Sequence, residues 1–365
     1  MTEELVADAS DTRRFVFDVL TAIGADRDVA TESADHLIGA NLAGHDSHGL
    51  LRIIQYVDFS DQGKLDAGAR GRAIKESSSL LLFDAECGLG QWSSRQALDW
   101  CLDHAEQAGI AAAAVRHSNH VGRLGHYAEI AASRGLVSIT TVGLVGPTAG
   151  RVTPFHGVGH LLGTNPWCFG VPAEDRTPLV ADFATSQIAE GKARVARYEG
   201  KSLAPGLIVD RDGNPTTRPN DFYDGGALLP LGGELTGHKG YGLGLAAGLF
   251  GSLAAIDDPT PTTAGTMADS PQGTPWTAGF FTAVLDPAWF GGARRYRRTV
   301  ADLLEAAGAM PPSPGYDRVL VPGEPEALSR ERRSRSGLPI PRSLWEQLTQ
   351  IANRFHIALP TPASH

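Results

Sequence analysis

A change of texture near residue 79 constrains this chain more than any other feature. Before it, apolar residues recur at helical spacing; after it, short apolar runs alternate with helical stretches. One helix is expected from Ser10 or Asp11, with Phe15, Val19, Leu20 and Ile23 on one face and Gly24 at its end. A second runs from Asp26 through Val29, Ala30, Ala34, Leu37, Ile38 and Leu42 to Gly44. A third begins directly after Ser47 and carries Leu51, Ile54 and Val57. From Ser79 the pattern predicts strands at Leu80–Phe83, Ile110–Val115, Leu136–Leu144, Trp167–Val171, Leu179–Phe183, Leu207–Val209 and Gly279–Leu285. Helices are expected over Ser93–Gln107, Tyr127–Ser133, Tyr241–Ala255, Tyr296–Ala307, Pro325–Ser336 and Ser343–Arg354. This alternation belongs to an α/β fold with a mixed sheet. Asp257–Pro275, rich in Pro, Thr and Gly, reads as a surface loop. With 365 residues, 42% of them hydrophobic, two packed domains are expected.

Charge and composition narrow the partners. A net charge of −9 disfavours nucleic acid and anionic membrane surfaces, yet a local Arg is enough to hold a small carboxylate. The three cysteines, Cys87, Cys101 and Cys168, form no CxxC and suit a reducing compartment. The acidic start, Met1 to Ser10, lacks the basic-then-apolar order of a signal peptide. The longest apolar stretch, Leu243 to Ile256, falls short of the roughly 20 residues a membrane helix needs. A soluble, cytoplasmic protein is expected, with neither a nucleic-acid nor a membrane partner.

Five segments carry candidate chemistry. The first is Gly44-His45-Asp46-Ser47-His48-Gly49, followed by Arg52 and Tyr56. If a helix starts near Ser47, then His48, Arg52 and Tyr56 stack one turn apart on one face. A 2-oxo acid needs an Arg for its carboxylate and a proton donor near its carbonyl oxygen, and this pair supplies both. The same residues also fit an N-capping Ser with two surface histidines. The second is Arg116-His117-Ser118-Asn119-His120-Val121-Gly122 after a predicted strand, where His120 is a candidate proton-transfer or substrate-contacting group. The third joins Pro154-Phe155-His156-Gly157 to Gly163-Thr164-Asn165-Pro166. In the fourth, Asp182-Phe183-Ala184-Thr185-Ser186 with Gly191-Lys192, an Asp at a strand end can hold an imidazole in one tautomer. The fifth, Gly237-His238-Lys239-Gly240-Tyr241-Gly242, opens an apolar helix and suits an anion. Each of these also reads as an ordinary turn or strand end.

Two patterns mimic other functions. Gly88-Leu89-Gly90 follows a predicted strand like a dinucleotide fingerprint, but Ser93 stands where the third glycine belongs. His45/His48, His117/His120 and His156/His160 have metal-like spacing, yet no HExxH acid and no cysteine accompanies them, so no metal is expected.

Taken in order, these segments resemble the malate/L-lactate dehydrogenase family of the second type, also called L-sulfolactate dehydrogenase-like. The likeness rests on Asp46-Ser47-His48-Gly49 with Arg52, Ser118-Asn119-His120-Val121-Gly122, Gly163-Thr164-Asn165-Pro166, Asp182-x-Ala-Thr-Ser186 with Gly191-Lys192, and His238-Lys239-Gly240-Tyr241. Asp210-x-Asp-Gly213, Leu231-Gly232-Gly233 and Val321-Pro322-Gly323-Glu324 extend it over nearly the whole chain. The run Ala40 to Gly49 and Pro154-Phe155-His156-Gly157 look most like the hydroxycarboxylate dehydrogenase branch. The family's pattern is altered at Arg116-His117 and at Gly143-Leu144-Val145-Gly146.

The resemblance implies a central mixed-sheet domain (residues 76–299) that binds a dinucleotide without the usual glycine fingerprint. It also implies a helical domain built from both chain ends (1–75 and 300–365). It further implies a homodimer and NAD or NADP as cofactor, with NAD favoured. Carried over by position, His48 resembles the general acid/base, with Asp182 supporting it, and Arg52 the carboxylate clamp. Ser47, Tyr56 and His120 fall at substrate positions. Thr164, Asn165, Thr185, Ser186, Lys192, His238 and Lys239 fall at cofactor positions. The implied reaction interconverts a 2-oxo and a 2-hydroxy acid. Reduction of a cyclic imine and a catalytically silent ligand-binding protein are the alternatives.

Overall fold

The computed structural model describes residues 4–143, 150–198, 200–255 and 278–362. The expected Asp257–Pro275 loop and the altered Leu144-Val145-Gly146 lie outside them. The chain opens with β1 (Glu4–Ala7), α1 (Ala9–Ala22) and α2 (Arg27–Leu42). Asp8 and Asp26 cap the two helices, each carboxylate accepting two backbone N–H groups of the first turn. A 3-10 turn, Asp46–His48, then precedes α3 (Arg52–Asp61). The helix expected directly after Ser47 therefore starts at Arg52. Gly49 breaks it by taking up an extended conformation, and the next N–H, of Leu50, is spent on Asn41 Oδ1 at 2.7 Å.

There follow β2 (Arg72–Glu76), β3 (Leu80–Asp84), α4 (Gly90–Ala108), β4 (Ile110–Ser118), α5 (Leu124–Ser133), β5 (Val137–Gly143), β6 (Trp167–Val171) and β7 (Leu179–Phe183). A smaller unit holds α6 (Glu190–Tyr198), β8 (Ile208–Val209), β9 (Pro215–Thr216), α7 (Pro219–Tyr223) and β10 (Ala227–Leu228). The chain continues with α8 (Gly233–Ser252), β11 (Ala278–Leu285), α9 (Ala293–Gly308), α10 (Glu324–Ser336), β12 (Leu338–Pro341) and α11 (Arg342–Phe355).

Seven strands form one mixed sheet in the order β2-β3-β4-β11-β5-β6-β7. β3 and β4 run parallel, and the other neighbours are antiparallel. β11 enters late in the chain yet lies at the centre, where Thr282 faces Thr140 and their buried hydroxyls meet at 2.9 Å. Alternate residues of β4, Ala111, Ala113 and Val115, turn into a core shared with Leu98 and Cys101 of α4 and Tyr127 of α5. α8 packs on the other face of the sheet, by close backbone contacts and by the ring of Phe250, which meets Phe281 of β11 and Trp167 of β6. A Cβ on Gly279 would lie 1.9 Å from the Gly251 carbonyl oxygen, and one on Gly143 would lie 2.5 Å from that of Ala247. This close approach explains the small residues of the apolar run.

A second apolar cluster joins the two chain ends. Phe15, Leu20, Leu37 and Ile53 of α1–α3 pack with Leu338 and Ile340 of β12 and Leu348 of α11. β1 and β12 zip the ends together, Leu5 opposite Ile340. Full burial of each such side chain is worth about 1.5–3 kcal/mol. α9 belongs to the sheet side, where its Arg294 and Arg297 pair with Glu174.

Candidate active site

The Asp46–His48 turn is held from both ends of the chain. Asp46 accepts from Asn41 Nδ2 at 2.6 Å, and Arg333 of α10 grips the same carboxylate at 2.6 and 2.9 Å. Gly49 is required at its place, because a Cβ there would lie 2.1 Å from Asn41 Oδ1. His45 turns away to Glu326 of α10, at 3.0 Å. His48 is left facing the loop that follows β4.

That loop is pinned at three points. Asn119 Nδ2 donates to the Cys87 carbonyl at 2.6 Å, the Arg123 N–H donates to His36 Nε2 at 2.8 Å, and the Gly125 N–H donates to Asp182 Oδ2 at 2.7 Å. The loop thereby presents His120 to the turn. His120 Nε2 lies 2.9 Å from His48 Nδ1, with the two rings only 6° from parallel. The far nitrogen of His120, Nδ1, lies 2.8 Å from the Tyr56 hydroxyl, which in turn accepts from Gln91 Nε2. His48 and His120 each keep an edge at the surface, whereas Tyr56 and Gln91 are buried.

Arg52 stands at the start of α3 beside this chain. Its Nε donates to the Ser47 carbonyl at 2.7 Å and its Nη1 to Gln55 Oε1 at 2.7 Å. Nη2 has no hydrogen-bond partner among the described residues. A guanidinium fixed on one edge and open at the other suits a carboxylate. Burial, reinforced by Arg52, His45 and Arg123, pushes His48 down to about 3. Burial also drives His120 well below its usual range, with Arg52 and His48 adding to it, and raises Tyr56. Both imidazoles are therefore neutral at pH 7 before any anion enters.

The resemblance places Asp182 in support of His48. Instead its carboxylate, raised by burial, accepts the Gly125 N–H and so anchors the loop that carries His120. The expected cofactor residues fall into two groups. Thr185 Oγ1 donates to the carbonyls of Thr164 and Asn165, Asn165 Nδ2 to that of Gly244 at 2.8 Å, and Ser186 Oγ to that of Ile188 at 2.8 Å. Those side chains fasten backbone to backbone. Lys192 of α6 and His238 and Lys239 of α8 are exposed and have no hydrogen-bond partner among the described residues. α6 borders the site, since a Cβ on Gly191 would lie 3.9 Å from that of Ser47.

The histidine pairs of metal-like spacing do not close on themselves. His45 goes to Glu326, His117 joins Arg116 on Asp84, and His160 reaches the Gly226 carbonyl. Sequence reasoning missed Gln91 because a lone amide at a helix start has no signature. The neighbouring glycines were the available clue.

Comparison with known proteins identifies the family and the fold. A family model described as malate/L-lactate dehydrogenase matches residues 7–349. Hydroxycarboxylate dehydrogenase B of Escherichia coli (strain K12) is 36% identical over 352 residues, 95% of this chain and 94% of that one. A Δ1-pyrroline-2-carboxylate/Δ1-piperideine-2-carboxylate reductase of Pseudomonas syringae pv. tomato is 33% identical, covering 90% of this chain and 91% of that one. The solved sulfolactate dehydrogenase of Methanocaldococcus jannaschii superposes with a TM-score of 0.85 at 28% identity, over 97% of this chain and 98% of that one. The fold is that of the sulfolactate and malate dehydrogenases, and the chain belongs to the malate/L-lactate dehydrogenase family.

Proposed function

We propose that this chain is an NAD(P)-dependent oxidoreductase interconverting a 2-oxo acid and a 2-hydroxy acid, with His48 as general acid/base and Arg52 as carboxylate clamp. The observation that carries the reading is the juxtaposition of a neutral, half-buried His48–His120 pair with an Arg52 guanidinium open at Nη2. Arg52 binds the substrate carboxylate and Ser47 borders it. The hydroxyl or carbonyl oxygen then lies toward His48. In oxidation the neutral imidazole accepts the hydroxyl proton. In reduction the proton enters with the substrate, whose carboxylate offsets Arg52 and raises the affinity of His48 for it.

A nicotinamide dinucleotide, NAD or NADP with NAD favoured, would supply the hydride chemistry at C2 when bound. The residues fit its anionic part, because Lys192, His238 and Lys239 present exposed polar heads that make no hydrogen bond among the described residues. Thr164, Asn165, Thr185 and Ser186 support that side through the backbone they hold. A homodimer is part of the reading: α8 exposes the apolar Leu235 (91%), Leu249 (61%) and Leu243 (37%), which a second copy would cover. A cytoplasmic location fits the three free cysteines. Among the described residues, no helix is long and apolar enough to cross a membrane.

A panel of pyruvate, oxaloacetate, phenylpyruvate and a cyclic imino acid, followed by absorbance with NADH and with NADPH, tests the reading. Turnover of an oxo acid supports it. Turnover of the imino acid alone selects imine reduction instead, the activity named for the Pseudomonas syringae relative. Dinucleotide binding without turnover on any panel member overturns both in favour of a silent binding protein.

A further inference from the structure

Gly88-Leu89-Gly90 imitates a dinucleotide fingerprint, and the structure gives these glycines a different task. A Cβ on Gly90 would lie 2.4 Å from the Asn119 carbonyl oxygen and 2.5 Å from that of His120. The lack of a side chain lets the first turn of α4 press against the His120 loop. The next residue, Gln91, is fully buried there, and its side chain reaches the Tyr56 hydroxyl. A buried amide is costly unless it is hydrogen-bonded, so its single contact sets its orientation.

We infer that Gln91 is a positioning residue that fixes, through Tyr56 and His120, which ring nitrogen of His48 carries the proton. Gln91 donates an N–H to the Tyr56 oxygen. The Tyr56 O–H is thereby directed to His120 Nδ1, which must act as acceptor. A neutral His120 then carries its proton on Nε2 and donates it to His48 Nδ1. His48 in turn holds its own proton on Nε2, the nitrogen with no partner among the described residues. The opposite chain would require Gln91 to present its oxygen, leaving both buried N–H groups without acceptors rather than one N–H and the oxygen, and an orphaned N–H is the rarer defect. The resting site thus offers an N–H edge, a hydrogen-bond donor for the carbonyl oxygen of an oxo acid or an imine nitrogen. Oxidation of a hydroxy acid requires the chain to invert first, placing the His48 proton on Nδ1 and freeing Nε2 to accept.

The inference rests on the proposed function only for its effect on rate; the tautomer itself is readable without turnover. Long-range ¹H–¹⁵N spectra of the histidine rings in the full-length protein, near neutral pH and without ligands, test it. Wild type is expected to show protonated, pyrrole-type Nε2 and pyridine-type Nδ1 at both His48 and His120. In Gln91→Leu the Tyr56 hydroxyl is freed to donate or accept, so both rings should shift toward a mixture of tautomers. Tyr56→Phe cuts the next link and should do the same even with Gln91 intact, which guards against a packing defect peculiar to the Gln91→Leu variant. Turnover with the best oxo acid should fall about 10- to 100-fold in Gln91→Leu, in kcat more than in KM, since a wrongly placed proton impairs catalysis more than binding. Identical ring-nitrogen patterns in wild type and both variants, or an Nδ1-protonated His48 in wild type, would overturn the inference. Neither result would bear on whether the protein is a dehydrogenase.

Discussion

The two halves of the candidate site are built in opposite ways. On the substrate side, His48, His120, Tyr56 and Arg52 are hydrogen-bonded to one another or to backbone before any ligand arrives. On the proposed cofactor side, the side chains of Lys192, His238 and Lys239 are exposed and make no hydrogen bond among the described residues, His238 meeting only the Phe155 ring edge to face. A preorganised polar cluster contributes through fixed geometry in a medium of low dielectric, so each of its parts is worth a great deal. An exposed cation contributes through a screened field, so each is worth little. The contrast predicts a steep order among substitutions.

His48→Ala should have the largest effect. Removing the proton-transfer group is expected to lower kcat by about 10²–10⁴-fold while dinucleotide binding, read by fluorescence titration, stays near wild type. Near-wild-type turnover would remove His48 from the reaction and erase the contrast. Arg52→Lys comes next. A point charge cannot replace a guanidinium tied at Nε and Nη1 and open at Nη2, and losing one charge-assisted bond costs about 1.5–3 kcal/mol. Converted to KM for the oxo acid, that is a rise of about 10- to 100-fold.

The pH dependence sharpens the comparison from within the substrate side. The empty-site His48, depressed to about 3, is in its neutral, base form throughout the pH range from 5 to 8. The kcat/KM for oxidation of the hydroxy acid should therefore show no limb from His48 in that range. Since reduction consumes a proton, its kcat/KM should then fall about tenfold per pH unit over the same range. A limb near the usual histidine value of about 6.5 in the oxidation profile would mean that His48 is not desolvated as the geometry requires.

The same division explains what could be read from the sequence. β6 and β7 match their expected bounds, β8 falls within the expected Leu207–Val209, and α1 and α2 begin within two residues of their expected starts, because each has either an apolar run or an Asp cap. β2 carries no strand signal since its five residues are all exposed, and β9 and β10 are two residues each, too short to show a period. β12 contains two prolines and reads as a turn until β1 pairs with it from the far end of the chain. In the site, the residue types were legible but the partnerships were not. His48 and His120 lie in separate HxxH pairs, and only the fold exchanges those sequence neighbours for each other. Asp182 reads as an imidazole partner because it ends a strand, yet the backbone N–H at the start of α5 is what it accepts.

The smallest effect is expected at the exposed cations, and its character matters more than its size. Lys239→Ala and Lys192→Ala should each raise the cofactor KM only a few-fold, about the 0.2–1 kcal/mol of an exposed ion pair, with kcat nearly unchanged. The difference from wild type should shrink as salt is raised, because at about 0.15 M the Debye length is already near 8 Å and further salt shortens it. The Arg52→Lys defect should persist at high salt, since the substrate carboxylate meets a buried, hydrogen-bonded guanidinium rather than a screened one. Should Lys239→Ala lower kcat as deeply as Arg52→Lys and keep that defect in salt, the exposed side would be as tightly built as the buried one once a dinucleotide is bound. The two halves would then differ only in the empty protein, and α8 would have to close on its ligand to make them alike.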